Sequence, residues 1–126
     1  MYSGNIRSSA VGKAGEDFVA GYLRSKGYII IKRNWRDSRY GELDIVAENK
    51  ENIVFIEVKT RKSGALVSGA QAVDYNKQRR TKNASQIFMK RLRTNLPPRI
   101  DVAEVTVEDE KDGSFKFSLN YIENAF

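Results

Sequence analysis

Residues Gly41 to Arg61 read GELDIVAENKENIVFIEVKTR, and this stretch decides the fold. Leu43, Ile45 and Ala47 alternate with Asp44, Val46 and Glu48; further on, Val54, Ile56 and Val58 alternate with Ile53, Phe55, Glu57 and Lys59. A period of two is that of a strand, whose successive side chains point to opposite faces. With Asn49 to Asn52 as the turn of a regular hairpin, Glu48 falls opposite Ile53, and counting back sets Asp44 opposite Glu57 and Glu42 opposite Lys59. Two carboxylates and an ammonium then converge on one patch. A slip of one residue would send Asp44 to the other face, so everything that follows depends on that turn.

Carboxylates on adjacent strands repel each other, and Ile53 and Phe55 on their face make the surroundings partly apolar. A bound divalent cation would offset this directly. Magnesium and manganese favour oxygen ligands, and magnesium often takes one or two carboxylates together with waters and substrate phosphate. Lys59 adds a positive charge that could orient a water, assist its deprotonation or stabilise charge developing on a phosphate.

Composition narrows the chemistry. The 126 residues are enough for one core and short for two, so a single domain spanning residues 1–126 is expected. There is no cysteine and no histidine, which removes disulfides, thiolate and imidazole metal centres and histidine-dependent triads, and leaves carboxylates and amines as the working groups. No apolar run is long enough to span a bilayer and the first residues lack the apolar centre of a secretory signal, so the expectation is a cytoplasmic protein without a membrane partner. The net charge of +6 is unevenly placed. Residues 1–100 hold 20 Lys or Arg against 9 Asp or Glu, whereas residues 101–126 hold 2 against 7. The excess peaks between Tyr75 and Ile100, where KQRRTKN and KRLR occur without an acid, and nucleic acid is the partner such a field suggests.

Working outward, the pattern from about Ser9 is helical, with Ser8 or Ser9 able to cap it, Val11, Ala14, Gly15, Phe18, Val19 and Tyr22 on one stripe, and Gly27 ending it. Glu16 at the stripe margin reads either as a surface residue covering the core edge or as a third acid beside the hairpin. Tyr28 to Ile31 is a short strand, followed by a connector, KRNWRDSRYG. Its Arg36 could meet phosphate and its Trp35 could stack on a base or anchor the connector on the core. Thr60 to Gly69 reads as a basic loop at the site's edge, with Arg61 and Lys62 available to phosphate or simply solvated. Ala70 to Arg93 is helical, as one helix or as two broken near Asn83 to Ser85, with Ala70, Val73, Lys77, Ala84, Ile87 and Phe88 on or near one side. Lys77 either snorkels past the helix edge or points into the carboxylate site, while Arg80 and its basic neighbours widen the phosphate footprint. Pro97 and Pro98 stop the helix, Ile100 to Val107 is a strand, Asp109 to Gly113 a turn, and Phe115, Phe117 and Leu119 alternate along a last strand. The order helix, three strands, helix, two strands is satisfied by one central mixed sheet flanked by helices.

Gly15-Glu16, Asn34-Trp35-Arg36, Gly41-Glu42-Leu43-Asp44 and Phe55-Ile56-Glu57-Val58-Lys59-Thr60-Arg61, with Lys77-Gln78-Arg79-Arg80, Arg99-Ile100-Asp101-Val102 and Asn124-Ala125-Phe126, form a specific set. The chain resembles the YraN-type bacterial family of the PD-(D/E)XK nuclease superfamily, and is similar in layout to archaeal Holliday junction resolvases. The resemblance implies an α/β, restriction-endonuclease-like core and an endonuclease site dependent on Mg2+ or Mn2+. Asp44 and Glu57 would be its metal-binding acids, Lys59 its catalytic lysine and Glu16 the acid of the first helix. Leu43 stands where the superfamily name has proline. DNA, branched DNA included, becomes the expected substrate, and a symmetric dimer would present two sites to two strands. Two other readings stay open: a non-catalytic nucleic-acid-binding protein with a vestigial site, and a structural or partner-binding protein.

Overall fold

The computed structural model describes residues 4–39, 41–63 and 75–126, with side chains from residue 10 onward. Helix α1 (Gly4–Ser25) is followed by strands β1 (Ile29–Asp37), β2 (Gly41–Glu48) and β3 (Ile53–Lys62), helix α2 (Tyr75–Leu92), and strands β4 (Pro98–Asp109) and β5 (Phe115–Ile122). The strands form one sheet in the order β1-β2-β3-β4-β5, in which β3 and β4 run parallel and the other neighbours antiparallel. A parallel pair needs a crossover, and α2 lies in it.

Each helix covers one face of the sheet. Val11, Val19, Ala20 and Leu23 of α1 pack on Ile45, Ala47, Val54, Ile56, Ala103, Val105 and Val107. Ala84 and Phe88 of α2 pack on Leu43, Val46, Ile53, Phe55 and Ile100. The expected α/β mixed sheet between helices is therefore the observed architecture. Among the described residues no helix is long and apolar enough to cross a membrane.

The central hairpin closes as its turn predicts. Asn49 donates its N–H to the Asn52 carbonyl at 3.1 Å, while its Oδ1 accepts from the N–H groups of Glu51 and Asn52 at 2.9 and 2.8 Å. Glu48 pairs with Ile53, and the register runs without a slip to Ile45 opposite Ile56. The end of α1 is equally local in origin: Gly27, at φ 91°, lets Tyr28 donate to the Leu23 carbonyl and Gly27 to that of Arg24, both at 3.0 Å, which closes the last turn.

Three local expectations are corrected, and of the two readings of the second helix the unbroken one holds. Helix α1 begins at Gly4, so Ser8 and Ser9 lie inside it rather than capping it. The segment from Lys32 to Asp37 is not a connector but the second half of β1, paired with β2 as far as Gly41. Its alternation is hidden by a register shift between Ile30 and Lys32 and by Asn34 at φ 53°: Arg33 meets α1 through Asp17, yet Trp35, two residues on, packs on Phe88 of α2. Strand β3 continues through Thr60, Arg61 and Lys62, residues read above as loop, because β4 pairs with it up to Val107 opposite Lys62. Helix α2 has no break at Asn83 to Ser85, where Ala84 and Ser85 are buried and the Ser85 hydroxyl donates to the Lys82 carbonyl at 2.7 Å. Ala70, Val73 and most of the basic loop before them lie outside the described residues.

At the far end of β4 a buried polar lock closes the chain. Asp101, fully buried, accepts from Arg99 Nε and Nη2 at 3.0 and 2.9 Å, from the Tyr121 hydroxyl at 2.6 Å and from the Asn124 N–H at 2.9 Å. Arg99 also donates to the Tyr28 hydroxyl at 2.6 Å, and Ala125 to the Ile100 carbonyl at 2.7 Å. The bond to Asp101 holds the guanidinium firmly charged, and burial followed by the same carboxylate raises the Tyr121 phenol well above its ordinary range.

Candidate active site

The pairing of β2 with β3 stops at Ile45 and Ile56, and Asp44 stands at the point of divergence. Its Oδ2 accepts the N–H of Val58 at 2.9 Å, so the carboxylate is tied to β3 by its own side chain. Glu57 is next on β3 and only 4% exposed. Its Oε1 receives two ammonium groups, Lys59 Nζ at 3.2 Å and Lys77 Nζ of α2 at 2.6 Å. Asp44 is thus an electrostatic neighbour of Glu57 through its bond to β3, beyond the last registered pair, Lys59 shares Glu57 with Lys77, and Lys77 takes the inward of its two readings. Glu42 does not join Lys59; it pairs with Arg36 at 3.1 Å on the exposed side.

Charge is strained here. Burial, the Glu57 charge and, more weakly, Glu16 push the Asp44 carboxyl up to about 7, against the opposing Val58 N–H and Lys77. Lys77 loses solvation on burial, yet its hydrogen bond and attraction to Glu57 outweigh that loss and raise its pKa. Glu16 reaches this neighbourhood because α1 lies hard against β3 at Gly15. A methyl group built there would overlap the Thr60 hydroxyl and sit 2.8 Å from its Cγ2, so only glycine permits the approach. Glu16 is held by Arg33, whose Nη2 is 3.7 Å from Glu16 Oε1 and 2.7 Å from Asp17 Oδ1. From sequence Arg33 reads as one of the connector's arginines available to phosphate, since nothing in the spacing of a bulged strand shows that it faces the acids of α1.

The phosphate candidates separate into two groups. Arg36, Lys77 and Arg80 line one cleft of about 410 Å3 between the β1–β2 end and α2, together with the acids Asp37 and Glu42 and with Ser38, Gly41 and Thr81. Arg61 and Lys62 do not share it. Lys62 pairs with Asp109 at 3.2 Å, and Arg61 has a buried Nη1 without a hydrogen-bond partner among the described residues. Trp35 packs edge-on against Phe88, ring centroids 5.6 Å apart, with the Arg91 guanidinium 5.6 Å from its ring, so it anchors the core in preference to offering a stacking platform.

Among the described residues no group of three or more acids is gathered as a cage for a metal ion. The donor set is instead a pair, Asp44 and Glu57. That suits a hard cation completed by water and substrate oxygen, since magnesium demands few protein carboxylates, and a carboxyl lifted to about 7 by burial and then by its neighbour's charge is one a divalent cation would relieve. The residues present therefore fit such an ion.

A mixed sheet between two helices, with an acid at the strand divergence and an acid and a lysine two residues apart on the next strand, defines a restriction-endonuclease-like core. Residues 15–105 match the model of the family described as Uncharacterised protein family UPF0102, and the chain belongs to that family. It is 43% identical over 117 residues to a UPF0102 protein of Syntrophomonas wolfei, covering 92% of this chain and 96% of the relative. A UPF0102 protein of Bacteroides thetaiotaomicron is 39% identical over 116 residues, covering 92% and 91%. The family resemblance read from the motifs is borne out.

Proposed function

We propose that the chain is a metal-dependent endonuclease that hydrolyses DNA phosphodiesters, branched DNA among its substrates. The observation carrying this reading is the divergence of β2 from β3 at Asp44, with Glu57 buried behind it and Lys59 on Glu57 Oε1. Asp44 and Glu57 would hold Mg2+ or Mn2+, with Glu16 acting through a water. A cation so held supplies polarisation of the scissile phosphate and a lowered pKa for the attacking water. Lys59, paired with Glu57 at 3.2 Å, orients that water and stabilises developing negative charge. Arg36 and Arg80 bring the backbone phosphates to the site, with Arg61 and Lys62 as outer contacts. Two sites addressing two strands would be supplied by a homodimer of single-domain chains.

One feature supports a second reading. Both lysines already neutralise Glu57, the arrangement expected of a vestigial site in a protein that binds nucleic acid without cutting it. Incubation of linear, flapped and four-way DNA with Mg2+, Mn2+ or EDTA separates the two. Cleavage that needs a divalent ion and is lost in Glu57→Ala supports the nuclease; DNA binding without cleavage in any of the ions supports the second reading.

A further inference from the structure

Lys77 belongs to neither sequence run that builds the site, yet it makes the shortest ion pair there, 2.6 Å to Glu57 Oε1. Lys59 is already on the same oxygen at 3.2 Å, so two ammonium groups share one buried acceptor and repel each other across it. Without a divalent ion this is balanced: two carboxylates, Asp44 and Glu57, face two ammoniums. A cation of charge +2 neutralises the two carboxylates by itself and leaves both ammoniums surplus. Lys59 is the less able to leave, because it lies on the same strand as Glu57, two residues away and on the same face. Lys77 reaches in from a helix, is 31% exposed, and also lines the cleft with Arg36 and Arg80.

We infer that Lys77 is a tethered counter-ion that a divalent cation displaces from Glu57, after which its ammonium serves a nucleic-acid phosphate in the adjoining cleft. This rests on the metal-dependent reading above and adds a coupling to it. Metal and nucleic acid then bind with positive cooperativity, because each removes the cost of the other's arrival: the cation releases the lysine and the phosphate receives it. Such a coupling is reciprocal by thermodynamic necessity. Lys77 is thus a positioning residue, acting through Glu57 and through phosphate. The cation-free site is kept from filling with ions when no substrate is present.

The test is Mn2+ binding, followed by the electron paramagnetic resonance of the free ion, with and without a phosphorothioate-linked duplex. In the wild-type protein the duplex tightens Mn2+ binding by roughly 5–150-fold, the usual range of such couplings. Lys77→Met binds Mn2+ tighter by a similar factor without DNA, and the duplex adds little. Lys77→Arg, keeping the charge, stays near wild type, and circular dichroism of each variant checks the fold. If Lys77→Met binds Mn2+ no more tightly than wild type while wild type does bind it, the displacement is wrong and the nuclease reading stands. If neither protein takes up Mn2+ even with the duplex, both readings fall.

Discussion

Asp101 and the Asp44–Glu57 pair are acids withdrawn from solvent in the same sheet, and the protein treats them in opposite ways. Asp101 receives donors from Arg99 on its own strand, from Tyr121 of β5 and from the Asn124 backbone just beyond it, at 2.6 to 3.0 Å. Asp44 has one backbone N–H and a neighbouring carboxylate, and its proton affinity rises until it titrates near neutrality. The first arrangement satisfies a charge and thereby locks the closing strand and the chain end together. The second leaves a carboxyl whose charge is disfavoured by burial and by its neighbour's charge. Burial of an acid is therefore no indication of its purpose; the number and kind of donors around it is.

That contrast can be broken in order of expected effect. Asp44→Ala or Glu57→Ala should lower divalent-ion-dependent cleavage by about a thousandfold or more while leaving duplex binding largely intact, measured with purified proteins of verified fold. Wild-type rates would erase the distinction. Asp101→Ala should instead cost stability, on the order of 3–5 kcal/mol in urea unfolding, because it leaves the Arg99 guanidinium buried without its partner.

Asp44→Asn should do the reverse at pH 8, raising stability by an amount on the order of a few kcal/mol. The sign follows from the proton balance. With a carboxyl near 7 in the fold and 3.8 unfolded, the native state holds more protons between those values. Wild-type stability from this group is full below about pH 4 and is lost as pH rises through 7, so the advantage of the amide should vanish by pH 4. Mn2+ affinity in wild type should rise over the same window, as the proton and the ion compete for Asp44. Gly15→Ala should destabilise by about 1–3 kcal/mol through its clash with Thr60, and should reduce cleavage as α1 carries Glu16 away. Smallest should be Tyr121→Phe, about 1 kcal/mol, since Asp101 keeps its other donors.

The same contrast explains what could be read from sequence. Asp44 and Glu57 lie on strands joined by a turn whose asparagines dictate its length, so register carries the pairing as far as Ile45 and Ile56, and the Asp44 side chain's own bond to Val58 does the rest. The donors to Asp101 come from Arg99 on its own strand and from residues 121 and 124, and no periodicity relates the last two to the first. Lys77 was ambiguous for a related reason: helical spacing gives its face but not the depth to which a flexible side chain reaches. The second half of β1 was misread because a bulge and a left-handed asparagine break the alternation by which strands are recognised. Glu16 was lifted by family likeness and then placed by Gly15, a residue whose absent side chain carries information only once Thr60 is seen opposite it.

The parallel ladder between β3 and β4 also governs the order in which the molecule can assemble. The β2–β3 hairpin closes over four turn residues, whereas Asn52 meets Pro97 across 45 positions and only after the crossover has been gathered in. Closing longer loops costs more chain entropy and slows the search. Asp44 and Glu57 are thus brought near each other by the short-range closure of the hairpin, and Lys77 arrives with the longer-range crossover. Charge balance at the site is therefore a property of the finished sheet alone.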